Sequence, residues 1–227
     1  MAKFEVLEQE GMNFVKIGIE NETVQAERGA LCWMTGDIVM DARLAFVGRA
    51  ITSYLSEEAF IRPTYTGTGT IYLESSFGGF HVFDVTDESW IVQGGAYWAS
   101  EASVRLAVRR ERVWTSIWAG EGFIDWQTRL TGRGQAVLTA QGPLEDITLD
   151  PGQQLVANGK YVVARTENVR YRIQRPTKSL VGAYVSGEGY CRVYEGPGRV
   201  FLSAMPYWRY RMFIQQPTQM QQAAVVE

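Results

Sequence analysis

Apolar and polar residues alternate with a period of two in several short segments of the chain. Ile71 and Leu73 fall on one face of such a segment, and apolar residues alternate with arginines over 169–173. The alternation over 104–109 favours a strand rather than a helix. This periodicity is typical of half-buried antiparallel strands. The pattern predicts an all-β protein, with 42–55 as either a helix or a long loop.

Three landmarks recur in the sequence at a nearly constant spacing. The first is a Gly-x-Gly pair before an apolar segment, with first glycines 65 and then 64 residues apart. The second is a single glycine, and the third is a glutamate two residues before an aromatic residue. In that order the residues are Gly67 and Gly69, Gly132 and Gly134, Gly196 and Gly198; Gly29, Gly95 and Gly159; and Glu58, Glu121 and Glu188. Landmarks that share one period indicate a triplicated unit.

The repeats divide the chain into predicted modules at 1–85, 86–150 and 151–213, followed by a flexible Gln-rich tail at 214–227. A unit of this size is marginal alone, so the modules are expected to pack together and cover one another's strand edges. Gly-x-Gly before a helix binds phosphate, but an alternating strand follows these pairs. We therefore interpret the repeated glycines as structural, at tight turns or bulges with positive φ.

Composition narrows the possible chemistry. The chain has 25 acidic and 22 basic residues, which makes nucleic acid an unlikely partner. A single histidine, His81, excludes most zinc and non-haem iron sites. Cys32 and Cys191 are far apart in sequence and both are interpreted as inert thiols in apolar surroundings. No catalytic motif is present, so the sequence predicts no enzyme activity, no cofactor and no metal.

A cluster of arginines is the best candidate for contact with a partner or an anion. It lies close to Trp114 and Trp118 and consists of Arg105, Arg109, Arg110 and Arg112. A solvated strand face is the alternative interpretation. The sequence shows no secretory signal and no apolar stretch long enough to span a membrane, which predicts a cytoplasmic protein.

The order of short motifs resembles the altered inheritance of mitochondria protein 24 family. The motifs are Arg28-Gly29-Ala30, Thr35-Gly36-Asp37-Ile38, Gly67-x-Gly69, Ser186-Gly187-Glu188-Gly189 and Gly196-Pro197-Gly198-Arg199-Val200. The resemblance implies three domains similar to the trp RNA-binding attenuation protein, each a short double-stranded β-helix, in a ring-like homotrimer. It implies no catalytic residues. The chain departs from the family after Leu202, where the segment 205–213 could be an added strand, a subunit contact or a membrane-surface contact.

Charge is distributed unevenly among the predicted modules. The first has 6 basic and 12 acidic residues, the second 6 and 9, and the third, counted with the tail as 151–227, 10 and 4. A head-to-tail ring would bring the basic third module beside the acidic first module of the next chain. Charges that only face solvent are the alternative interpretation of this asymmetry. Together, the family resemblance and the charge distribution predict a non-enzymatic oligomeric ring that acts as a scaffold or binds a protein partner. A ring that binds a small ligand or RNA is the alternative, and an enzyme with a site between subunits is a third possibility.

Overall fold

The computed structural model describes residues 1–42, 62–76, 78–110, 126–174 and 191–204. Within these ranges the chain is all-β, as predicted, and one 3-10 turn at Gly159–Tyr161 accompanies the strands. The strands are β1 (Lys3–Gln9), β2 (Met12–Ala26), β3 (Leu31–Asp41), β4 (Thr64–Leu73), β5 (Gly79–Thr86), β6 (Trp90–Val92), β7 (Tyr97–Glu101), β8 (Val104–Arg110), β9 (Trp126–Ala140), β10 (Leu144–Leu149), β11 (Gln154–Asn158), β12 (Val162–Thr166), β13 (Arg170–Gln174), β14 (Cys191–Glu195) and β15 (Gly198–Ser203). Segment 104–109 lies in a strand, as its alternation predicted.

All strand pairs are antiparallel, and most belong to one large sheet. Its path runs β10-β15-β12-β6-β9-β7-β2-β4-β3, while β1 joins β2, and β5 and β8 join β9. Strands β11, β14 and β13 form a separate three-stranded sheet. The long strand β9 pairs with β6 and β8 before Arg133 and with β5 and β7 after Gly132. It therefore carries the chain around a corner between two halves of the large sheet.

Three hairpins share one irregularity. Here the word hairpin means an antiparallel strand pair whose two strands are separated along the sequence. Hairpin 1 pairs β3 with β4, hairpin 2 pairs β7 with β9, and hairpin 3 pairs β12 with β15. Each has a bulge one residue after its first pair. The bulge falls just before Trp33 in hairpin 1, Ala99 in hairpin 2 and Ala164 in hairpin 3. These three residues therefore occupy equivalent positions.

The glycine pairs lie where two strands approach closely. Gly67 and Gly69 are inside β4, with φ of 142° and 156°. A Cβ on Gly67 would overlap the Asp37 carbonyl oxygen, and one on Gly69 would overlap that of Thr35. Neither residue could therefore carry a side chain without displacing β3.

The other repeated glycines fall into two groups. Positive φ values occur at Gly29, Gly95, Gly132, Gly134 and Gly198. Gly159 and Gly196 have no positive φ and so differ from the expectation: Gly159 opens the 3-10 turn, and Gly196 precedes the cis-proline Pro197. The glutamates 58, 121 and 188, the segment 205–213 and the tail 214–227 lie outside the described residues, as does nearly all of 42–55.

Among the described residues, the core consists of three apolar clusters. One forms around Ile17 and Ile71, the second around Trp90 and Phe201, and the third around Tyr194. The first cluster also includes Ala99 and Val137 from hairpin 2, and the second includes Ala164 and Phe201 from hairpin 3. The hairpins therefore share side-chain packing as well as backbone pairing.

Candidate functional site

Hairpins 1 and 2 are joined by a short ladder between β2 and β7, here called joint 1. The ladder pairs Val24 with Glu101, Gln25 with Ser100 and Ala26 with Ala99. A backbone hydrogen bond closes each end. The Glu27 N–H donates to the Trp98 carbonyl at 2.7 Å, and the Ala102 N–H donates to the Thr23 carbonyl at 3.1 Å. The joint is therefore a continuation of the sheet rather than a loose contact between domains.

Hairpins 2 and 3 are joined in the same way by β6 and β12, which form joint 2. The ladder pairs Trp90 with Thr166, Ile91 with Arg165 and Val92 with Ala164. The Gln93 N–H donates to the Val163 carbonyl at 2.8 Å, and the Glu167 N–H donates to the Ser89 carbonyl at 2.7 Å. Joint 2 thus repeats both the register and the closing hydrogen bonds of joint 1.

Polar groups fix the register of joint 1: Tyr97 and Ser100 are buried, and Gln25 is half-buried. The Gln25 Nε2 donates to the Val104 carbonyl at 2.6 Å and to Ser100 Oγ at 3.0 Å. The Tyr97 hydroxyl lies 2.9 Å from Ser100 Oγ. Burial raises the pKa of Tyr97, so its hydroxyl stays protonated and neutral in this environment. A shift of one residue would leave these buried and half-buried groups without partners, which is costly.

Strand β11 is the counterpart of β2 and β6 in the third repeat, where it pairs with β14. Val24 pairs with Tyr65, Trp90 with Leu130 and Leu155 with Tyr194. Tyr65, Leu130 and Tyr194 each lie two residues before the first glycine of a Gly-x-Gly pair. Among the described strands, however, β11 pairs with β14 alone. The strand that should form a third joint therefore has an open edge.

Strand β3 has the matching open edge. It holds the place that β7 and β12 hold in the other hairpins, yet within the described ranges it pairs with β4 alone. Trp33 is 55% exposed, whereas its counterparts Ala99 and Ala164 are 0% and 1% exposed. The two alanines pack into the apolar core clusters, and each pairs with a strand of the preceding repeat. No described strand of another repeat pairs with β3 in this way.

Exposed apolar side chains concentrate on these two edges. The described part of the chain exposes seven large apolar side chains, and five of them lie on β3 or β11: Trp33, Met34, Val39, Met40 and Val156. Single exposed apolar residues are ordinary, but Trp33, Met34 and Val156 occupy the positions that form the ladder at joint 1, which indicates a contact surface. Val39 and Met40 lie further along β3, outside these positions. Trp33 also stacks on Tyr72, with ring centroids 4.7 Å apart. We call β3 and β11 the open edges.

The arginine cluster is divided by the structure. Arg105 is exposed on β8, and Arg110 is the last residue of that strand. Arg109 and Arg129 both bind Glu167, at 3.2 Å and 2.6 Å, and so form an ion pair across joint 2. Arg112 lies outside the described residues. At least one member of the predicted contact therefore stabilises the chain internally.

The reactive residue types are dispersed. His81 is half-buried against Phe201, with ring centroids 5.1 Å apart, and burial lowers the pKa of its imidazole. Cys32 is exposed, which corrects the interpretation of it as a core thiol, because its strand is an open edge. Cys191 is half-buried at the start of β14. The described ranges contain no group of three metal-ligating residues and no helix that could span a membrane.

Two concave regions lie close to the joints. An open cleft of 580 Å³ beside joint 1 is lined by residues that include Glu22, Glu101 and Arg133. A smaller cavity of 200 Å³ lies beside joint 2, between Gly95 and Ser203. In this cavity Gln141 Oε1 and Ser203 Oγ are buried and find no hydrogen-bond partner among the described residues. It is therefore the better candidate for a small ligand.

These features define an all-β protein with a large antiparallel sheet, and its described strands include three related pairs. A family model described as Mitochondrial biogenesis AIM24 matches residues 4–205, and the chain belongs to this family. It is also similar to a protein of Streptococcus pyogenes known from a crystal structure. The TM-score is 0.72 at 17% identity, over 95% of this chain and 99% of that one. At this identity the likeness shows the fold alone. No curated protein matches the chain.

Sequence reasoning missed the open edges. It placed the candidate contact in the arginine cluster and treated the glycine repeats as architecture only. A signal was present in β3, where Trp33 and Val39 alternate with Met34 and Met40, so that large apolar residues lie on both faces. Which strand lies alongside β3 or β11 follows only from the strand pairing in the structure.

Proposed function

We propose that this protein is a non-enzymatic scaffold that assembles head to tail into a homotrimeric ring. Three tandem modules similar to the trp RNA-binding attenuation protein would make up each subunit, with boundaries near residues 85 and 150. The observation that carries the proposal is the mismatch between two closed joints and two open edges. The repeats pair strand to strand within the chain, and one strand edge is left open in the first repeat and one in the third. Such open edges favour further strand pairing with other copies of the chain.

The charge distribution supports the direction of assembly. The open edge β3 belongs to the acidic first module, and β11 belongs to the basic third module. A contact between unlike ends closes into a ring if the rotation between subunits permits it. Opposite charge on the two ends favours this pairing over contacts between like ends.

The scaffold would act in the cytoplasm by presenting repeated surfaces to a protein partner. Arg105 remains exposed on β8 and is one residue that such a partner could contact. The segment 205–213 would form a contact between subunits or a peripheral contact with a membrane. Nothing in this proposal requires catalysis or a bound cofactor.

Native mass spectrometry at low micromolar concentration tests the proposal. The expected spectrum is that of a trimer without additional bound mass. A monomer at that concentration would contradict the ring, and with it the interpretation of the charge distribution.

The second candidate function is a ring that binds a small ligand, and the cavity beside joint 2 supports it. Gln141 Oε1 and Ser203 Oγ are buried there without partners in the described part of the chain, and such groups ordinarily bind water or a ligand. At 200 Å³ the cavity is smaller than the roughly 300–1,000 Å³ usual for drug-sized ligands. It would suit a molecule of a few heavy atoms. A defined additional mass on the assembled protein would favour this function over the scaffold.

A further inference from the structure

We propose that the two open edges bind each other between copies of this chain, forming a third joint in which β11 of one copy pairs with β3 of the next. This inference rests on the proposed ring and names the surface that would close it. The partner is a second copy of the same chain, because its β3 has the geometry that β7 and β12 present at the two joints within the chain.

The strand order of the sheets predicts what is missing. Around joint 1 the order is β3-β4-β2-β7-β9-β5, and around joint 2 it is β8-β9-β6-β12-β15-β10. Each joint thus unites three strands from one repeat with three from the next. The remaining sheet has the order β13-β14-β11 and stops at three strands. Its missing half would be β3-β4-β2 of a second copy.

The two internal joints also predict the register. At joint 1 Ala26 opposes Ala99, and at joint 2 Val92 opposes Ala164. The counterpart of Ala26 and Val92 on β11 is Ala157, and the counterpart of the two buried alanines is Trp33. The third joint therefore pairs Ala157 with Trp33, Val156 with Met34, and Leu155 with Thr35.

Side-chain size is complementary across this register. Within the chain, small residues such as Ala26 and Ala99 meet at the joint and are fully buried. Between copies, Trp33 would pack beside the small Ala157, while Val156 and Met34 would cover each other. Val156 is 61% exposed and Met34 is 37% exposed in the single chain. Tryptophan anchors of this kind are enriched at the centres of protein interfaces.

Backbone hydrogen bonds would close the third joint as they close the other two. The counterpart of Glu27 and Gln93 is Asn158, and the counterpart of Trp98 and Val163 is Cys32. The Asn158 N–H is therefore expected to donate to the Cys32 carbonyl of the next copy. At the other end, the Gly36 N–H is expected to donate to the Gln154 carbonyl. An edge strand directs such backbone N–H and carbonyl groups away from its own sheet, where no other strand pairs with them.

The first test compares two valines with similar exposure. Val156 on β11 is 61% exposed, and Val39 on β3, beyond the proposed ladder, is 66% exposed. Val156→Lys would bury an ammonium group in the third joint and is expected to weaken association roughly 30-fold or more. Val39→Lys is the matched control and is expected to leave association unchanged. Sedimentation velocity across a concentration series measures both, and circular dichroism confirms that each variant is folded.

The second test measures the register by disulfide formation. In a chain with Cys32→Ser and Cys191→Ser, Met34→Cys is combined with Val156→Cys. Directly opposed, hydrogen-bonded residues of antiparallel strands have Cα atoms about 5.5 Å apart, which is within reach of a disulfide. Mild oxidation is expected to link subunits covalently. The control pair Met40→Cys and Val156→Cys is displaced by roughly 20 Å along β3 and should not link.

The outcomes separate this inference from the ring itself. A wild-type chain that is monomeric at low micromolar concentration overturns both. A wild-type trimer with an unaffected Val156→Lys variant, and with no crosslink between Met34→Cys and Val156→Cys, would be a ring closed by another surface, which overturns the third joint alone. Selective loss of assembly in Val156→Lys, together with linking of the opposed pair but not the control pair, supports the third joint.

Discussion

The closed joints and the open edges use the same backbone position in opposite ways. Ala99 and Ala164 pair with a strand of the preceding repeat and are almost completely buried in the core, while Trp33 lies at the equivalent place with half its surface exposed. The bulge falls one residue after the first pair in all three hairpins. The three hairpins therefore differ in the residue at this position. It is alanine where the strand pairs with the preceding repeat, and tryptophan where the strand edge is open.

The largest expected effect comes from placing the open-edge residue in a closed joint. Ala99→Trp would force an indole into a position with 0% exposure, and we expect a loss of about 3 kcal/mol or more in the free energy of unfolding. Urea denaturation of the dilute protein measures it. The reciprocal Trp33→Ala should change the stability of the single chain by less than about 1 kcal/mol. Equal losses in the two variants would contradict the comparison.

The second effect concerns the corner at which β9 passes between the two halves of the large sheet. Gly132 has a φ of 101°, and a Cβ there would overlap the Ser103 carbonyl oxygen. We expect Gly132→Ala to cost about 2 kcal/mol or more, from strain and overlap together.

Gly29→Ala provides the matched control for Gly132→Ala. Gly29 also has a positive φ, of 81°, but a Cβ there meets open space. Its cost is expected to be only about 1 kcal/mol, from backbone strain alone. Thermal unfolding of both variants measures the difference. If Gly29→Ala were as unstable as Gly132→Ala, overlap with the Ser103 carbonyl oxygen would not explain the cost of a side chain at Gly132.

A smaller effect is expected from the ion pair across joint 2. Glu167 accepts hydrogen bonds from Arg129 at 2.6 Å and 3.0 Å, and all three groups of the Arg109–Glu167–Arg129 cluster are partly exposed. Glu167→Gln is therefore expected to cost about 1 kcal/mol or less. A double-mutant cycle with Arg129→Gln isolates the coupling. The more exposed Arg133–Asp87 pair serves as the control and should show no measurable coupling.

The smallest effect is a pH dependence from His81. Burial lowers the pKa of its imidazole, Asp146 raises it, and Arg199 lowers it, so that the folded value lies below 6.5. The unfolded chain then binds more protons, and stability is lost as the pH falls from 6.5 towards the folded pKa. His81→Gln should flatten the stability profile in that window and leave it unchanged above it. Parallel profiles for the two proteins would show that His81 contributes nothing, and its half-exposed ring limits the expected size.

The sequence predicted the strands well because period-two alternation is a local signal. Ile71 and Leu73 are buried as expected, and 104–109 is a strand. The role of the Gly-x-Gly pairs was only partly predictable. Their spacing marked where glycine is needed, but the close approach of Gly67 to Asp37 depends on β3, a strand that is distant in sequence.

The open edges were not predicted because exposure depends on which strand lies alongside. Cys32 was interpreted as a core residue from its apolar neighbours, yet those neighbours Trp33 and Met34 are themselves exposed on an edge strand. An apolar strand has the same local pattern whether its partner belongs to the same chain or to another. Only the comparison of the three hairpins shows the difference.

Hydrogen exchange at the open edges tests the central claim most directly. The amides of Val156, Asn158 and Gly36 are followed at a concentration at which the protein is assembled and again after dilution to the monomer. The account predicts protection of these amides in the assembled protein and its loss on dilution, while the joint amides of Glu27 and Gln93 remain protected throughout. Fast exchange of the edge amides in the assembled protein would show that another surface holds the subunits together and would contradict the account.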